Sequence, residues 1–454
     1  MACSRRSTVV CPPASEISGH IRGFDNSGGK IKIPDQHKME YRMNQEITAP
    51  RRQKLAELLE DGDNVILFAK PQPHLEKFSQ DSNFLYFTGL NHPELIYIAG
   101  KSAGRFNDML LIERSNPERE VWEGKKLTAE EAREQSGIQR IHYVDEFLSV
   151  VGGICQLAKR IYANYGNVAL NRPVSYPMFM LEPIRQRFPQ IIIEQINTLI
   201  HGLRAIKSDW EVMQLQKAID ITGKGIMDIL ENARAGMMEY ELEAMLFYRM
   251  QRAGVQRWGF DPIIASGINA ATLHYEKNDC MISSGDLVLL DVGASYNNYS
   301  ADISRTFPIN GTFTERQKEL YSLVLEVQKT VISMIKPGIT IAELHKTSRD
   351  LLAEGLVRIG LIDTEAEITK YYMHGIGHFL GMDTHDVNPQ GHSVVLEQGH
   401  VLTVEPGIYI PEEKLGIRIE DDVLVTAEGH CVLSQNIPKE ISELEEICQE
   451  AQKQ

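Results

Sequence analysis

The sequence contains no paired cysteines, no long apolar run and no excess of positive charge. Its six cysteines, Cys3, Cys11, Cys155, Cys280, Cys431 and Cys448, are scattered and form no C-x-x-C pair. In a chain of 454 residues that reads as reduced thiols in a cytosol-like compartment. No apolar stretch approaches the roughly 20 residues that span a bilayer, which argues against a membrane partner. Acidic residues outnumber basic ones, 62 to 47, for a formal charge of −15. Such a chain gains nothing by displacing counterions from a phosphate backbone, so nucleic acid is not an expected partner. There is no G-x-S-x-G elbow and no Walker A loop, so nothing supports a serine hydrolase or a phosphate-cradling enzyme. The head of the chain, MACSRRSTVVCPP, lacks the apolar core of a secretory signal. A cytoplasmic location is expected, with a mitochondrial transit peptide as the competing reading of this Ser-rich, acid-poor stretch.

The length exceeds the usual single core, which predicts two domains. Residues 1–42 are polar and aperiodic and read as a poorly ordered extension. From Arg51 the pattern turns helical, with Leu55, Leu58 and Leu59 on one face. Strand-like runs follow at Asn64-Val-Ile-Leu-Phe-Ala, Phe84-Leu-Tyr-Phe, Leu95-Ile-Tyr-Ile and Met109-Leu-Leu-Ile, mixed with helical segments to about Ile193. That alternation predicts an α/β domain ending near residues 203–207. Ser208-Asp-Trp-Glu211, Thr314-Glu-Arg-Gln317 and Thr340-Ile-Ala-Glu343 are capping boxes that open three helices, the second of which stops at Lys336-Pro337-Gly338. The second half repeats itself. Gly236-Met-Met-Glu-Tyr-Glu-Leu242 matches Gly338-Ile-Thr-Ile-Ala-Glu-Leu344 at an offset of 102, and the run Gly285 to Gly293 matches Gly399 to Gly407 at an offset of 114. Two copies of one unit place Asp291 opposite Glu405 around a shared centre.

Acidic residues gather in that half. Asp291 and Asp302 flank Asn297-Asn298, a credible two-residue turn because Asn tolerates positive φ. In that register residue 291 faces residue 304, and both aspartates share one face of a hairpin. Carboxylates held close stay ionised only with a cation between them. Glu405 ends the apolar strand Val401-Leu-Thr-Val, and Glu420 follows Gly416-Ile-Arg-Ile, where Arg418 and Glu420 share a face. Then His374-Gly-Ile-Gly-His378-Phe-Leu-Gly-Met-Asp-Thr-His385-Asp386 packs three of the chain's 14 histidines into twelve residues. His374 and His378 have helical zinc spacing, but Gly375 and Gly377 argue for an irregular backbone passing close to something. Four carboxylates and one imidazole form a hard, oxygen-rich donor set. It suits Mn, Fe or Co in pairs about 3.5–4 Å apart, and metal-assisted hydrolysis, better than a structural zinc site.

The ordered set Asp291, Asp302, His378, Glu405 and Glu420 resembles the five-ligand pattern of the pita-bread metallopeptidases. LLDVGASYNNYSADISRTFPING, HGIGHFLGMDTHD, LTVEPGIYI and GIRIEDDVLVT resemble aminopeptidase P more than methionine aminopeptidase, as do DSNFLYFTGLNHPE and VWEGKKLTAEEA upstream. The resemblance implies an α/β chain with an aminopeptidase P N-terminal domain over 43–206. A C-terminal pita-bread domain (α+β, pseudo-two-fold) would follow over 207–454. It implies two divalent ions, Mn by preference, with Asp291 on one, Asp302 and Glu420 bridging, and His378 and Glu405 completing the second. It implies hydrolysis of the N-terminal bond before proline by a bridging hydroxide, with Glu405 as proton shuttle. His274 and His385 match histidines at the scissile peptide and the tetrahedral oxygen, and His374 a third pocket histidine. Arg418 matches a residue that holds the carboxylates, and Tyr409 one that hydrogen-bonds in the pocket. Peptides with proline second are the implied partners, and a homodimer or homotetramer the implied assembly. An Xaa-Pro dipeptidase, a non-catalytic binding protein on the same fold, and a related enzyme acting on a substrate such as creatine are the alternatives.

Overall fold

Residues 36–453 are described by the computed structural model, apart from 74–76, 167–169, 256 and 389. Most of the expected extension, residues 1–42, therefore lies outside the described residues. Its last part is helical, because the helix Gln36–Leu58 begins well upstream of Arg51. Residues 41–454 form one compact unit.

The apolar runs of the first half form one mixed sheet. Its strands are β1 (Asp63–Phe68), β2 (Ile96–Ser102), β3 (Arg105–Ile112), β4 (Ile141–Tyr143), β5 (Arg160–Ala163) and β6 (Ile192–Gln195), in the order β4-β3-β2-β1-β5-β6. Val65 and Leu67 of β1 enter one apolar cluster while Ile66 and Phe68 enter another on the opposite face. Burial on both faces explains why this strand reads as an unbroken apolar run. Phe84-Leu-Tyr-Phe is not a strand. It lies in the helix Ser82–Thr88, which Asp81 caps by accepting the Phe84 N–H and which Gly89 ends at φ 69°. A cap at each end decides the conformation of a short apolar run that periodicity leaves ambiguous.

The three expected capping boxes open the helices Asp209–Asn232, Glu315–Met334 and Ile341–Arg358. Leu215, Ile219 and Ile226 of the first are buried, each stabilising the fold by about 1.5–3 kcal/mol. In its box, Glu211 accepts from the Ser208 N–H. The same side chain pairs with Arg51 at 3.0 Å and accepts from the Tyr299 hydroxyl at 2.8 Å. One cap thus also anchors the hairpin that carries the aspartates.

The remaining strands are β7 (Ile263–Ser266), β8 (Leu287–Val292), β9 (Ser295–Tyr296), β10 (Tyr299–Ser300), β11 (Ile303–Pro308), β12 (Val401–Val404), β13 (Gly407–Ile410), β14 (Leu415–Arg418), β15 (Asp421–Val425) and β16 (His430–Val432). Ser304 pairs with Asp291, and Asn297 and Asn298 turn at φ 48° and 62°, the register and turn read from the sequence. The repeat is also real. Met238 bridges Met281 as Thr340 bridges Val395, and the Gly236 N–H donates to Ile282 as the Gly338 N–H donates to Leu396. Gly236 and Gly338 share φ near 91° and 94°, and Gly285 and Gly399 near 92° and 93°. β8 lies between β7 and β11, and β12 pairs with β15. Within the C-terminal half of the chain one unit is thus copied in a second, with β8, between β7 and β11, and β12, between β15 and residues 376–380, in equivalent places.

Among the described residues Cys155, Cys280 and Cys448 are free thiols. No helix among the described residues is long and apolar enough to cross a membrane.

A buried charge cluster fixes the stretch that follows His385. Arg204, Lys207 and Asp386 are all nearly inaccessible. Arg204 reaches Asp386 at 2.6 Å and Lys207 reaches it at 2.9 Å. Burial alone raises the Asp386 pKa, but Lys207 and Arg204 outweigh it and hold the carboxyl low. Its folded pKa lies below the unfolded value near 4, so its contribution is present at neutral pH and lost as pH falls below about 4. Asp386→Ala strands buried Lys207 and leaves Arg204 with only the half-exposed Asp383 as a charged partner, and is expected to cost about 3–5 kcal/mol. Urea unfolding measures this; a loss under about 1 kcal/mol would show that the cluster is not a structural determinant.

Candidate metal centre

The two repeated units bring four carboxylates within electrostatic reach of one another. Asp291 lies on the central strand β8, and Asp302 directly precedes β11. Glu405 directly follows the central strand β12, and Glu420 directly precedes β15. Each half thus gives one acid from its central strand and one from the start of that strand's partner. The histidine comes from the second half alone. Residues 376–380 run beside β12, with the Thr403 N–H donating to His378 and the Glu405 N–H to Ile376. A Cβ on Gly377 would stand 2.0 Å from the Thr403 carbonyl, so only glycine allows this approach. Helical metal spacing for His374 and His378 is therefore ruled out, and the close backbone passage is present.

Asp302, His378 and Glu420 offer ligand atoms that all lie within 4.8 Å of one another. His378 Nδ1 contacts the Phe379 carbonyl at 3.0 Å. A carbonyl only accepts, so Nδ1 carries the proton, and in the neutral ring Nε2 presents its lone pair to Asp302 at 3.3 Å and Glu405 at 3.6 Å. A lone pair aimed at carboxylate oxygens is repulsive unless a proton or a metal cation lies among them. Thr403 steadies this corner by donating to Glu405 and accepting from the His378 N–H.

The acids are poorly compensated. Asp302 is 5% exposed and Glu420 2%. Burial, then Asp291, pushes Asp302 well above the ordinary carboxylate range, and burial, then Asp302, does the same to Glu420. Burial also raises Glu405, against His378 and Arg418. Asp291 Oδ1 is buried without a hydrogen-bond partner. Elsewhere in the same fold, Arg305 and Lys439 hold the equally buried Asp421 far below the carboxylate range, overcoming its burial. An orphaned oxygen, a free imidazole lone pair and crowded acids fit a divalent cation.

Arg418 organises one wall. Its NH2 pairs with Asp291, its Nε donates to Ser304 Oγ at 2.9 Å and its NH1 to the Tyr409 hydroxyl at 2.9 Å. Ser304 passes the contact on to Glu420 at 2.8 Å. Tyr409 also meets His374 Nε2 at 2.8 Å, while His374 Nδ1 contacts the Gly375 carbonyl at 2.8 Å. Both ring nitrogens of His374 are thus engaged, and burial, then Arg418, lowers its pKa to about 4. Tyr409, pushed up to about 12 by burial, stays a phenol. His385 stands at the exposed rim with its ring 4.3 Å from that of His378, and desolvation, then His378 and His274, lowers its pKa. His274 is exposed within electrostatic reach of His385.

Known proteins carry the same architecture. The model of Metallopeptidase family M24 matches residues 213–427, and that of the aminopeptidase P N-terminal domain matches 48–162. The chain is 34% identical over 432 residues to the Xaa-Pro aminopeptidase of Escherichia coli K12, covering 89% of this chain and 98% of that one. This chain belongs to the M24 metallopeptidases. Aminopeptidase P from E. coli with the inhibitor Pro-Leu superposes at a TM-score of 0.83 with 32% identity, over 90% of this chain and 99% of that one. Intermediate cleaving peptidase 55, mitochondrial, from Arabidopsis thaliana is 31% identical over 87% of this chain and 81% of its own length. The second half therefore has the pita-bread fold of the M24 family.

Three contributors to this M24 site are not picked out by sequence reasoning. Thr403 links the candidate ligands His378 and Glu405, and Ser304 links Glu420 to Arg418. Asp422 is fully buried, accepts the Asp302 N–H at 3.2 Å and keeps one oxygen unpartnered. The acidic triple Glu420-Asp421-Asp422 inside an apolar strand was the available signal.

Carboxyls with raised pKa values make the folded, metal-free protein bind more protons than the unfolded chain. Stability then falls as pH rises from about 4, and a bound cation reverses this. After chelation, the melting temperature is expected to fall between about pH 5 and 8, and Mn to raise it most at the upper end. Scanning fluorimetry checks this; a flat profile with no Mn response would rule out a cation site.

Proposed function

We propose that this chain is an Xaa-Pro aminopeptidase. It would release the first residue of a peptide whose second residue is proline, using two divalent ions held by Asp291, Asp302, His378, Glu405 and Glu420. The observation that carries the reading is the cluster of Asp302, His378 and Glu420, with Glu405 against His378 and Asp291 in electrostatic reach of the other acids. When bound, the ions supply Lewis acidity toward the scissile carbonyl and a nucleophile at neutral pH. Manganese is the preferred identity on donor hardness. A zinc-substituted form of the E. coli enzyme has also been solved, so metal identity calls for measurement.

The chain's own groups take these parts. Glu405, held by Thr403 beside His378, accepts a proton and returns it to the leaving amine. His385, kept neutral by its lowered pKa, offers an N–H to the oxygen that gains charge. Arg418 orients Asp291 and, through Ser304, Glu420. His374 and Tyr409 brace each other beside Arg418, and His274 is free to meet the peptide. The division into residues 43–206 and 207–454, homodimeric or homotetrameric assembly and a cytoplasmic location belong to this reading. The Arabidopsis relative's name makes a mitochondrial location the competing one. The relatives named Xaa-Pro aminopeptidase favour longer peptides over a dipeptide-only enzyme.

Purified protein supplied with Mn is expected to remove the first residue of an Xaa-Pro-Xaa peptide. Glu405→Ala and Asp302→Ala should lower kcat by about 10²–10⁴-fold or more with unchanged circular dichroism. Cleavage of Xaa-Pro dipeptides alone would assign a dipeptidase, and an active metal-free Glu405→Ala protein would overturn the mechanism.

A further inference from the structure

Glu239 opens the helix Glu239–Arg252 and is 0% exposed. Among the described residues its charge is met by hydrogen bonds alone. Oε1 accepts from the Ser266 N–H at 2.8 Å, the Ser266 hydroxyl at 2.7 Å and Asn269 Nδ2 at 3.0 Å. Oε2 accepts from the Tyr275 hydroxyl at 2.8 Å and the Cys280 N–H at 3.0 Å. All five donors come from residues 266–280, the connection between β7 and β8 that carries His274.

The repeat provides an internal control. At the offset of 102 that relates the two halves, Glu239 corresponds to Ile341, which also opens its helix and is 2% exposed. The fold itself therefore accepts an apolar side chain at this position. A buried carboxylate is costly there unless fully hydrogen-bonded, and the half that has one is the half whose loop carries His274. His274 makes no side-chain hydrogen bond of its own among the described residues, so its place depends on the backbone of its loop.

We infer that Glu239 is a positioning residue for His274, holding the 266–280 connection so that the imidazole faces the substrate. Tyr275, next in sequence to His274, is the last link. The inference rests on the peptidase reading for what His274 meets. Glu239→Gln turns an acceptor into a donor among five donors, and Tyr275→Phe leaves Glu239 in place while removing the link beside His274 together with that hydroxyl's longer contacts to Asp279, so it serves if the first variant folds poorly.

Both are made with His274 intact and in His274→Ala, loaded with Mn and assayed on an Xaa-Pro-Xaa peptide. Hydrogen–deuterium exchange is followed over 266–280 without substrate. The expected result is a loss of about tenfold or more in kcat/KM with His274 present, and under about twofold without it. Faster exchange is expected in that segment alone. Equal losses in both backgrounds, unchanged exchange, or a fully active His274→Ala protein would overturn the inference. If the unmodified protein fails to cleave the peptide, the functional reading falls, while the exchange data still decide whether Glu239 holds the loop.

Discussion

Crowded like charge in a buried pit governs this half of the molecule. Asp291, Asp302, Glu405 and Glu420 face one another with Arg418 as the one arginine that pairs with them among the described residues, and burial raises the cost of every unpaired charge. Two divalent ions would match those four charges, whereas a neutral protein environment can only protonate them. The fold keeps the acids together because strand pairing, not mutual attraction, sets their positions. The ladder of β8 with β11 and that of β12 with β15 are almost wholly buried and hold both apolar and polar residues, and the four site acids lie at or next to their ends.

Duplication explains how one chain assembles such a site. A single unit yields two acids, one on its central strand and one at the start of the paired strand. Copying the unit doubles the set. The copies then diverge where chemistry requires it. Residues 376–380 supply His378 in place of the regular strand β7, and Gly377 there allows the backbone to reach β12. Glu239 and Ile341 diverge the other way, with the polar residue in the first half.

The parts legible in the sequence share a property: a local rule fixed them. Asn297-Asn298 sets the hairpin register, and a period of two then places Asp302 beside Asp291. Capping boxes set the helix starts. The repeat was visible because glycines with positive φ recur at both turns. What was not legible depended on distant partners. Phe84 to Phe87 has strand-like composition, and the caps Asp81 and Gly89 override it. Glu239 reads as an ordinary acid in a first helical turn, and only folding shows five donors from another segment converging on it. Asp386 reads as the neighbour of a histidine, while its two cations lie near residue 205. Thr403 and Ser304 look like polar residues in strands, and their role exists only once both halves close together.

Comparison of the buried acids separates structure from chemistry. Asp386 has Arg204 and Lys207, and Asp421 has Arg305 and Lys439; both stay ionised, and their job is to hold segments in place. Glu239 has no cation, but five donors satisfy it, so it too is finished by the protein. Asp302 and Glu420 lie where neither solution is complete, and Asp422 behind them keeps an oxygen without a partner and a raised pKa. The fold could have supplied a second arginine here as it did at Asp421. Leaving the deficit open keeps the acids available to an ion that can be bound, exchanged and used, and that unfinished charge balance distinguishes this cluster from the other buried acids of the chain.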